Sequence, residues 1–336
     1  MAEFRRDPVS DRWVIIAENR SQRPDEFRAR GARRVEVACP FCAGHERETP
    51  DPTAVYPPPG AGRAVADWQV RVVPNKFPAV HMPPLEMAGA SGPSECSPAR
   101  GAHEVIIETP QHVVSFTELT DAQAELTFAA YRDRLRHWRS HGHLAYGMIF
   151  KNARAEGGAS IEHTHSQLLA TASVPCELAR EVAGAQSFRQ SQGKCIFCDM
   201  LARERAWRQR WVAETDLFSV FCPYASRFPY EMWVLPRQHC SRFEDLEATA
   251  CVQLAHLVRD LLRRLEWLLE EPAYNYWIHT APWDGPRHDA YHWHLEIVTR
   301  LTRVAGFELG AGYFINPVCP EEAASRLRSI PPARAL

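Results

Sequence analysis

Two histidines separated by one residue and followed by a glutamine form the segment of this sequence that is best suited to chemistry. They are His163, His165 and Gln167, and Gly157 and Gly158 precede them. In an extended strand alternate residues point to the same face, so the three side chains should lie in a row. An imidazole can bind a metal or attack phosphorus, and a neutral amide can donate a hydrogen bond to a phosphate oxygen. The glycines allow the backbone to approach a ligand closely.

A degraded second copy of this motif favours the chemical interpretation over a polar strand edge with two surface histidines. The second copy is His292-Trp293-His294-Leu295-Glu296. Each copy follows a CxxC pair and a lone histidine. The lone histidine precedes the motif by 51 residues in the first half (112 to 163) and by 53 in the second (239 to 292). We therefore predict an internal duplication, with one repeat in residues 1–175 and the other in residues 176–336.

Each half contains two cysteines and two histidines, which is the ligand set of a closed tetrahedral zinc site. The first set is Cys39, Cys42, His112 and His163, and the second is Cys195, Cys198, His239 and His292. A fully coordinated zinc has no open position for water, so its predicted role is structural. An alternative in the second half is a harder metal such as iron, held by Glu181, His279, His292 and His294. Reduced CxxC pairs without metal are the remaining alternative, and a thioredoxin-like redox pair is disfavoured because its βαβ context is not evident.

The second histidine of each pair remains outside these zinc sets, and the two halves differ around it. A neutral imidazole is a competent nucleophile near pH 7, and its attack on phosphorus would give a covalent nucleotidyl-histidine. Gln167 can donate a hydrogen bond to a phosphate oxygen, whereas the anionic Glu296 would repel that oxygen. Ser160 and the glycines leave room and donors near His165. We predict that His165 is the nucleophile and that His294 is structural or a metal ligand.

The segments around these motifs predict an α+β fold. In each half a strand-like segment (104–108 and 230–235) precedes the lone histidine, and a helical segment (120–141 and 245–269) follows it. A second strand-like segment (146–150 and 274–278) then leads to the histidine pair. Residues 79–102 are rich in Pro, Gly, Ser and Ala, which predicts a loop insertion.

The composition is that of a globular protein with ample material for a core. The chain has 336 residues, of which 45% are hydrophobic and 24% charged, and its formal net charge is −2. This near-neutral balance gives no reason to expect a nucleic-acid or membrane partner. There is no apolar run of about 18 residues, which disfavours a transmembrane helix, and residues 1–7 lack the apolar core of a signal peptide. We therefore expect a cytoplasmic protein.

Taken together, the motifs resemble the galactose-1-phosphate uridylyltransferase branch of the histidine-triad superfamily. The resemblance covers nearly the whole chain, from Arg5-Arg6-Asp7-Pro8 and Arg20-Ser21-Gln22-Arg23-Pro24 to Gly306-Phe307-Glu308. It implies a HIT-like fold, in which two repeats form one antiparallel sheet with helices on one face. It also implies a homodimer.

The same resemblance implies roles for the residues at matching positions. His165 would be the nucleophile, Gln167 would contact the transferred phosphate, and Ser160 would help to bind the sugar diphosphate. Positions that match nucleotide- or phosphate-contacting residues are Arg20, Arg23, Asn75 and Asn152. Positions in the C-terminal segment that contacts the hexose, often across a dimer interface, are Phe307, Glu308 and Asn316.

The resemblance implies a ping-pong exchange with a nucleotide sugar and a sugar phosphate as partners. We predict transfer of UMP from UDP-glucose to galactose 1-phosphate through a covalent intermediate on His165. The familiar uridylyltransferases carry His-Pro-His-Gly-Gln, whereas this chain has Thr164 and Ser166 in the intervening places. With the second CxxC pair and residues 310–317, the motif also looks like that of ADP-glucose phosphorylases, which pass AMP to inorganic phosphate. Further alternatives are hydrolysis of a nucleoside phosphoramidate or dinucleotide, and a zinc-stabilised nucleotide-binding module without turnover.

Overall fold

The computed structural model describes residues 2–18, 39–57, 67–82, 98–284 and 288–332. The strands are β1 (Glu3–Arg6), β2 (Trp13–Ile16), β3 (Ala54–Tyr56), β4 (Val70–Pro74), β5 (Gly101–Ile107), β6 (Tyr146–Ala153), β7 (His165–Thr171), β8 (Trp211–Glu214), β9 (Phe218–Phe221), β10 (Met232–Pro236), β11 (Tyr274–His279), β12 (His294–Thr299) and β13 (Phe314–Asn316). The helices are α1 (Asp121–Ser140), α2 (Cys176–Gln192), α3 (Ile196–Trp207), α4 (Ala248–Leu269), α5 (Gly306–Ala311) and α6 (Pro320–Ser329).

A ten-stranded sheet shows the duplication in its strand order. The order is β3-β4-β5-β7-β6-β11-β12-β10-β9-β8, and every neighbouring pair is antiparallel. The strands β6 and β11 pair at the centre, where Phe150 lies opposite Trp277. The five strands on one side of this junction correspond in order to the five on the other. The predicted antiparallel sheet of two repeats is therefore confirmed.

The helices cover both faces of this sheet, so the expectation of helices on one face is wrong. Residues of α1 and α4, such as Phe128 and Leu254, share a core with Leu168 of β7 and Val234 of β10. Residues of α2 and α3 pack instead with Trp233 and Leu235 of β10 and with Trp211 and Phe221. Successive side chains of a strand point to opposite faces, so these central strands need apolar cover on both sides.

The helix predicted for residues 120–141 is confirmed as α1, and its start follows from its capping residues. Thr120 accepts a hydrogen bond from the backbone N–H of Gln123, while the Gln123 side chain accepts one from the Thr120 N–H. This reciprocal capping box satisfies two backbone donors that the helix itself cannot pair. Helix α2 was not predicted. Its buried residues are only Leu178, Glu181, Val182 and Ala185, which is too weak an apolar pattern to indicate a helix.

A three-stranded sheet joins the two ends of the described chain. Strand β2 pairs with β1 in the antiparallel sense and with β13 in the parallel sense. Nearby, the buried Arg5 of β1 binds Glu321 of α6 at 3.0 Å. Among the helices of the described residues, none is long and apolar enough to cross a membrane.

Candidate functional site

The first Cys2His2 set is brought together beside the start of β7, the strand that carries the histidine motif. Cys42 Sγ lies 3.4 Å from Nδ1 of His112 and 3.6 Å from Nδ1 of His163, and Cys39 Sγ lies 3.6 Å from the same His163 atom. Ordinary zinc bond lengths in a tetrahedron place sulfur and nitrogen ligands about 3.5 Å apart. These donor atoms therefore fit a zinc ion.

His163 is oriented for this role by a second contact. Its Nε2 lies 2.9 Å from the backbone carbonyl of Thr109 and donates to it, which leaves Nδ1 unprotonated and free to bind a metal. Metal-binding histidines commonly donate their other ring hydrogen in this way. Burial lowers the pKa of His163 to about 4, so the ring is neutral at pH 7.

The second Cys2His2 set repeats this arrangement. Cys198 Sγ lies 3.4 Å from Nδ1 of His239 and 3.6 Å from Nδ1 of His292, and all four ligand atoms, including that of Cys195, lie within 4.8 Å of one another. Cys195 is the N-cap residue of α3, where the helix dipole favours a thiolate. Within the described part of the chain, the buried Nε2 of His292 has no hydrogen-bond partner.

His165 begins β7, and its hydrogen bonding suits a nucleophile. Its Nδ1 donates to the backbone carbonyl of His163 at 2.8 Å, which leaves the lone pair of the neutral ring on Nε2. The side chain is buried, and burial lowers the pKa of His165, so the ring is neutral at pH 7. Phe41, from the first CxxC loop, contacts the ring with a centroid separation of 5.2 Å.

Gln167 lies on the same face of β7 as His165, and a residue that the sequence analysis missed orients its amide. His103 Nδ1 accepts the backbone N–H of Ala79 at 3.1 Å, so His103 Nε2 carries the ring hydrogen and donates to Gln167 Oε1 at 2.8 Å. The Nε2 donor group of Gln167 is then free for a phosphate oxygen. Asn75, one of the predicted contacts, lies beside them, with its Nδ2 3.1 Å from His103 Nε2.

Asn152 is placed on the other side of His165 by the strand register. Phe150 lies opposite Gln167 in the β6–β7 pair, so two steps further along the register Asn152 lies opposite His165. Its Oδ1 accepts a hydrogen bond of 2.8 Å from Asn275. Asn275 also donates to the carbonyl of Gly157 at 2.7 Å. A Cβ added to Gly157 would come within 2.9 Å of the Tyr274 carbonyl oxygen. Glycine is therefore required for this close approach of the loop to the sheet.

The other predicted substrate contacts are distributed differently. Ser160 is exposed in the loop that precedes the motif, and Phe307 and Glu308 lie on α5, where the Phe307 side chain is exposed. Asn316 is fully buried, and its Nδ2 donates to the carbonyls of Ser226 and Phe228 at 2.9 and 3.1 Å. These bonds give Asn316 a structural role, and its predicted contact with a hexose stays a prediction. The predicted phosphate ligands Arg20 and Arg23 lie outside the described residues.

His294, the counterpart of His165, faces a carboxylate in a closed interior. Its Nε2 lies 3.3 Å from Glu296 Oε1, and its ring stacks on Trp233 at a centroid distance of 4.8 Å. The side chain is completely buried beneath the α2 and α3 layer, to which Phe197 belongs. A phosphate cannot reach this nitrogen, so the second motif is unsuited to nucleophilic attack.

The second half also contains a group of two histidines and two carboxylates, which differs from the iron set expected from the sequence. The residues whose possible ligand atoms lie within 4.8 Å of one another are Glu181, His279, His294 and Glu296. His292 belongs to the cysteine set instead, because its Nδ1 lies 3.6 Å from Cys198 Sγ. Burial alone would raise the pKa of Glu296, but the charge of Arg227 and a hydrogen bond from His294 lower it. Arg227 therefore supplies positive charge to this group.

Beneath the motif, on the α1 side of the sheet, lies a second feature that the sequence analysis missed. Lys151 is 1% and Glu108 0% exposed, and they form an ion pair of 2.6 Å. Thr164 and Ser166, the residues between and after the two histidines, both donate hydrogen bonds to Glu108. Only the pairing of β5, β6 and β7 brings these positions together, and the sequence alone does not provide that register.

Comparison with known proteins agrees with this architecture. Residues 1–175 match the model of the galactose-1-phosphate uridyl transferase N-terminal domain, and residues 181–334 match that of the C-terminal domain. An ADP-glucose phosphorylase of Arabidopsis thaliana is 31% identical over 98% of this chain and 93% of its own. A galactose-1-phosphate uridylyltransferase of Thermotoga maritima is 27% identical over 98% of both chains.

Solved structures give the same result. The crystal structure of an Arabidopsis thaliana ADP-glucose phosphorylase with bound ADP-glucose superposes with a TM-score of 0.83 at 30% identity, covering 98% of this chain and 100% of that one. A uridylyltransferase structure superposes with a TM-score of 0.75 at 27% identity and covers 98% of both chains. The chain is a nucleotidyltransferase and belongs to the galactose-1-phosphate uridylyltransferase family.

Proposed function

We propose that this enzyme transfers a nucleoside monophosphate from a nucleotide sugar to a phosphate acceptor through a covalent intermediate on His165. The observation that carries the proposal is the hydrogen bond from Nδ1 of His165 to the His163 carbonyl, 2.8 Å long. It holds the ring in the tautomer whose Nε2 lone pair is available for attack. The row of polar side chains beside it, from Asn75 through Gln167 to Asn152, suits a phosphate group.

In the first step, the Nε2 lone pair of His165 would attack the α-phosphorus of the nucleotide sugar. A nitrogen–phosphorus bond forms, the bond from phosphorus to the bridging oxygen breaks, and hexose 1-phosphate leaves with that electron pair. The Nε2 donor of Gln167 would hold a non-bridging oxygen as negative charge accumulates on it. In the second step, an acceptor phosphate oxygen attacks the phosphorus, and the lone pair returns to His165.

Among the nucleotide sugars, we favour ADP-glucose as donor and inorganic phosphate as acceptor. The support is the similarity to the Arabidopsis thaliana ADP-glucose phosphorylase, at 31% identity over nearly the whole chain and with a TM-score of 0.83 for its ADP-glucose complex. The presence of Thr164 and Ser166 in the motif supports the same branch. The products would be ADP and glucose 1-phosphate.

UMP transfer from UDP-glucose to galactose 1-phosphate, which the sequence analysis placed first, becomes the second candidate. Its support is the full-length similarity to the Thermotoga maritima uridylyltransferase at 27% identity. The histidine chemistry of the two candidates is the same, and they differ in the base and in the acceptor.

Labelled substrates distinguish these activities. The protein is incubated with ADP-glucose or UDP-glucose labelled in the α-phosphate and quenched in alkali, and protein-bound label that is stable to alkali but labile to acid is measured. We expect label from ADP-glucose in the unaltered protein and in His294→Asn, and none in His165→Asn. If neither ADP-glucose nor UDP-glucose labels the protein, the covalent mechanism is rejected. Chasing the labelled protein with phosphate, galactose 1-phosphate or water would identify the acceptor and test the hydrolytic and non-catalytic alternatives.

We further propose that zinc occupies both Cys2His2 sets in a structural role. The donor types and the sulfur–nitrogen separations of 3.4 to 3.6 Å support this in each set. In the first set, the ion would tie the CxxC loop, and hence Phe41, to the strand that begins with His165. A homodimer, a cytoplasmic location and the division at residue 175 remain predictions from the sequence.

A further inference from the structure

A cluster of buried polar groups lies directly behind the nucleophile strand. We call it the Glu108–Lys151 cluster, and its members are Glu108, Tyr131, Lys151, Thr164 and Ser166. Glu108 accepts hydrogen bonds from Lys151 at 2.6 Å, from Thr164 at 2.6 Å and from Tyr131 at 3.0 Å. It also accepts one from Ser166. All five side chains are buried.

Lys151 uses all three of its ammonium hydrogens within this cluster. Two go to Glu108 Oε2 at 2.6 Å and Thr164 Oγ1 at 2.8 Å, and the third goes to the backbone carbonyl of His165 at 3.0 Å. The lysine thus holds the backbone of the proposed nucleophile from the side opposite to the substrate groups. Since His165 also donates to the His163 carbonyl at 2.8 Å, the residue is fixed at both its main chain and its ring.

Such a cluster is not explained by the stability of the fold. Removing two charges from water costs several kcal/mol per ion, and a buried ion pair can often be replaced by apolar side chains of similar volume without loss of stability. Tyr131, Thr164 and Ser166 add further polar groups that must all be satisfied in the interior. The stability of the fold therefore does not require a buried polar network at this location.

The second repeat provides an internal comparison, because the same positions in it are apolar. In β5–β7, Ile107 lies opposite His165, so the next position, Glu108, lies opposite Thr164. In β10–β12, Val234 lies opposite Leu295, so Pro236 lies opposite Trp293. Likewise Phe150 lies opposite Gln167, so the next position, Lys151, lies opposite Ser166, and Ile278 lies opposite Leu295. In the second repeat, which we call the silent half, the counterparts of Glu108, Lys151, Thr164 and Ser166 are, in that order, Pro236, Ile278, Trp293 and Leu295.

We infer that the Glu108–Lys151 cluster positions His165 for attack, with Lys151 as the positioning residue that holds its backbone. The fold accommodates apolar residues at these positions in the half whose histidine does not face substrate. The ion pair of Glu108 and Lys151 and the hydroxyls of Thr164 and Ser166 are present in the half whose histidine is proposed to face substrate. Thr164 and Ser166, which differ from the proline and glycine of the familiar uridylyltransferase motif, are the motif's contribution to this cluster. The inference rests on the proposed nucleophilic role of His165.

The test is the double variant Glu108→Leu/Lys151→Met, which removes both charges and retains side-chain volume. We expect single-turnover formation of the nucleotidyl-protein at saturating ADP-glucose to slow by roughly 10- to 100-fold, because small misplacements of a reacting group have effects of this size. The half-saturating ADP-glucose concentration, the zinc content and the melting temperature should change little. The matched control is Glu104→Leu/Arg134→Met, which removes another buried pair of 2.6 Å, between β5 of the same sheet and α1; it should label at the unaltered rate.

A second series keeps the inference testable if the double variant folds poorly. Thr164→Ser retains the hydroxyl that links Lys151 to Glu108, and Thr164→Val removes it with little change of shape. We expect near-normal labelling with serine and a clear loss with valine. Equal labelling rates for the unaltered protein, the double variant and Thr164→Val would overturn the positioning role while leaving the covalent mechanism intact. Absence of label in the unaltered protein would overturn the mechanism, and the inference with it.

Discussion

The ring of His165 donates its Nδ1 hydrogen to the backbone carbonyl of His163 at 2.8 Å. The side chain of His163 faces the two cysteines of the first CxxC pair. A residue of the proposed zinc site therefore holds the proposed nucleophile through its main chain. The metal set and the reacting histidine are thus connected through one residue, His163.

This arrangement predicts that equivalent ligands in the two halves have different effects on activity. We expect Cys42→Ser and Cys198→Ser each to lower the zinc content by one ion per chain and to lower the melting temperature, because binding energy of the metal contributes to folding. Only Cys42→Ser should also slow nucleotidyl-protein formation, since it loosens His163. Metal analysis, thermal melts and single-turnover labelling check this. Equal effects of the two variants on the labelling rate would contradict the coupling.

Gln167 should tolerate loss of its amide better than gain of a charge. Gln167→Glu reproduces the HxHxE sequence of the second half and places a carboxylate beside the anionic phosphate. Coulomb repulsion should then slow labelling by more than the loss of the hydrogen bond does. We expect a loss of roughly 100-fold or more for Gln167→Glu and a smaller loss for the uncharged Gln167→Met. The measurement is the single-turnover rate at saturating donor, and a glutamate variant as active as the methionine variant would refute the assigned role.

His103 should act chiefly through Gln167, although Asn75 also contacts its Nε2 at 3.1 Å. The contact of 2.8 Å between His103 Nε2 and Gln167 Oε1 fixes which end of the amide faces the substrate. His103→Phe should therefore slow labelling by roughly tenfold, the effect of losing one hydrogen bond of about 1.4 kcal/mol. In a Gln167→Met background the same change should have little further effect. Additive losses in this double-mutant cycle would show that His103 contributes independently.

Glu321 provides a pH-dependent contribution to stability, far from the reacting groups. Burial alone would raise the pKa of Glu321, but hydrogen bonds from Cys319 and Arg210 and the charge of Arg5 lower it to about 2. Because the folded-state pKa lies below the ordinary value, this stabilisation is present above about pH 4.5 and is lost as the pH falls toward 2. Glu321→Gln should lower the free energy of unfolding at pH 7 by about 1.5–3 kcal/mol, the range for hydrogen bonds to a charged group.

The measurement is chemical denaturation of both proteins between pH 7 and pH 3.5. The difference in unfolding free energy should be constant down to about pH 5 and then shrink as Glu321 becomes protonated in the unfolded chain. Glu322→Gln is the control, because Glu322 pairs with Arg326 on the exposed surface of α6. A difference that does not depend on pH would show that the charge of Glu321 is not its stabilising feature.

The sequence predicted those features that depend on residue type and on spacing along the chain. Cysteines and histidines are so specific as ligands that both Cys2His2 sets could be named, and the structure brings each together. His103 and the Glu108–Lys151 cluster could not be predicted, because their roles depend on which residues face each other across β5, β6 and β7. Helix α2 was missed because little of its surface is apolar. The group of two histidines and two carboxylates contains Glu296, where the sequence analysis had placed His292. This difference likewise depends on the directions of the side chains.

The central pairing of β6 with β11 has a consequence for how the two repeats can exist. Among the described residues, the strands of the two repeats meet at β6 and β11, and each covers the edge of the other through pairs such as Asn152 with Asn275. A repeat expressed alone would present that long edge, with its unpaired backbone donors and acceptors, to any other strand in solution. The second repeat thus covers a strand edge of the first that would otherwise be open to pairing, and it does so whichever half carries out the chemistry.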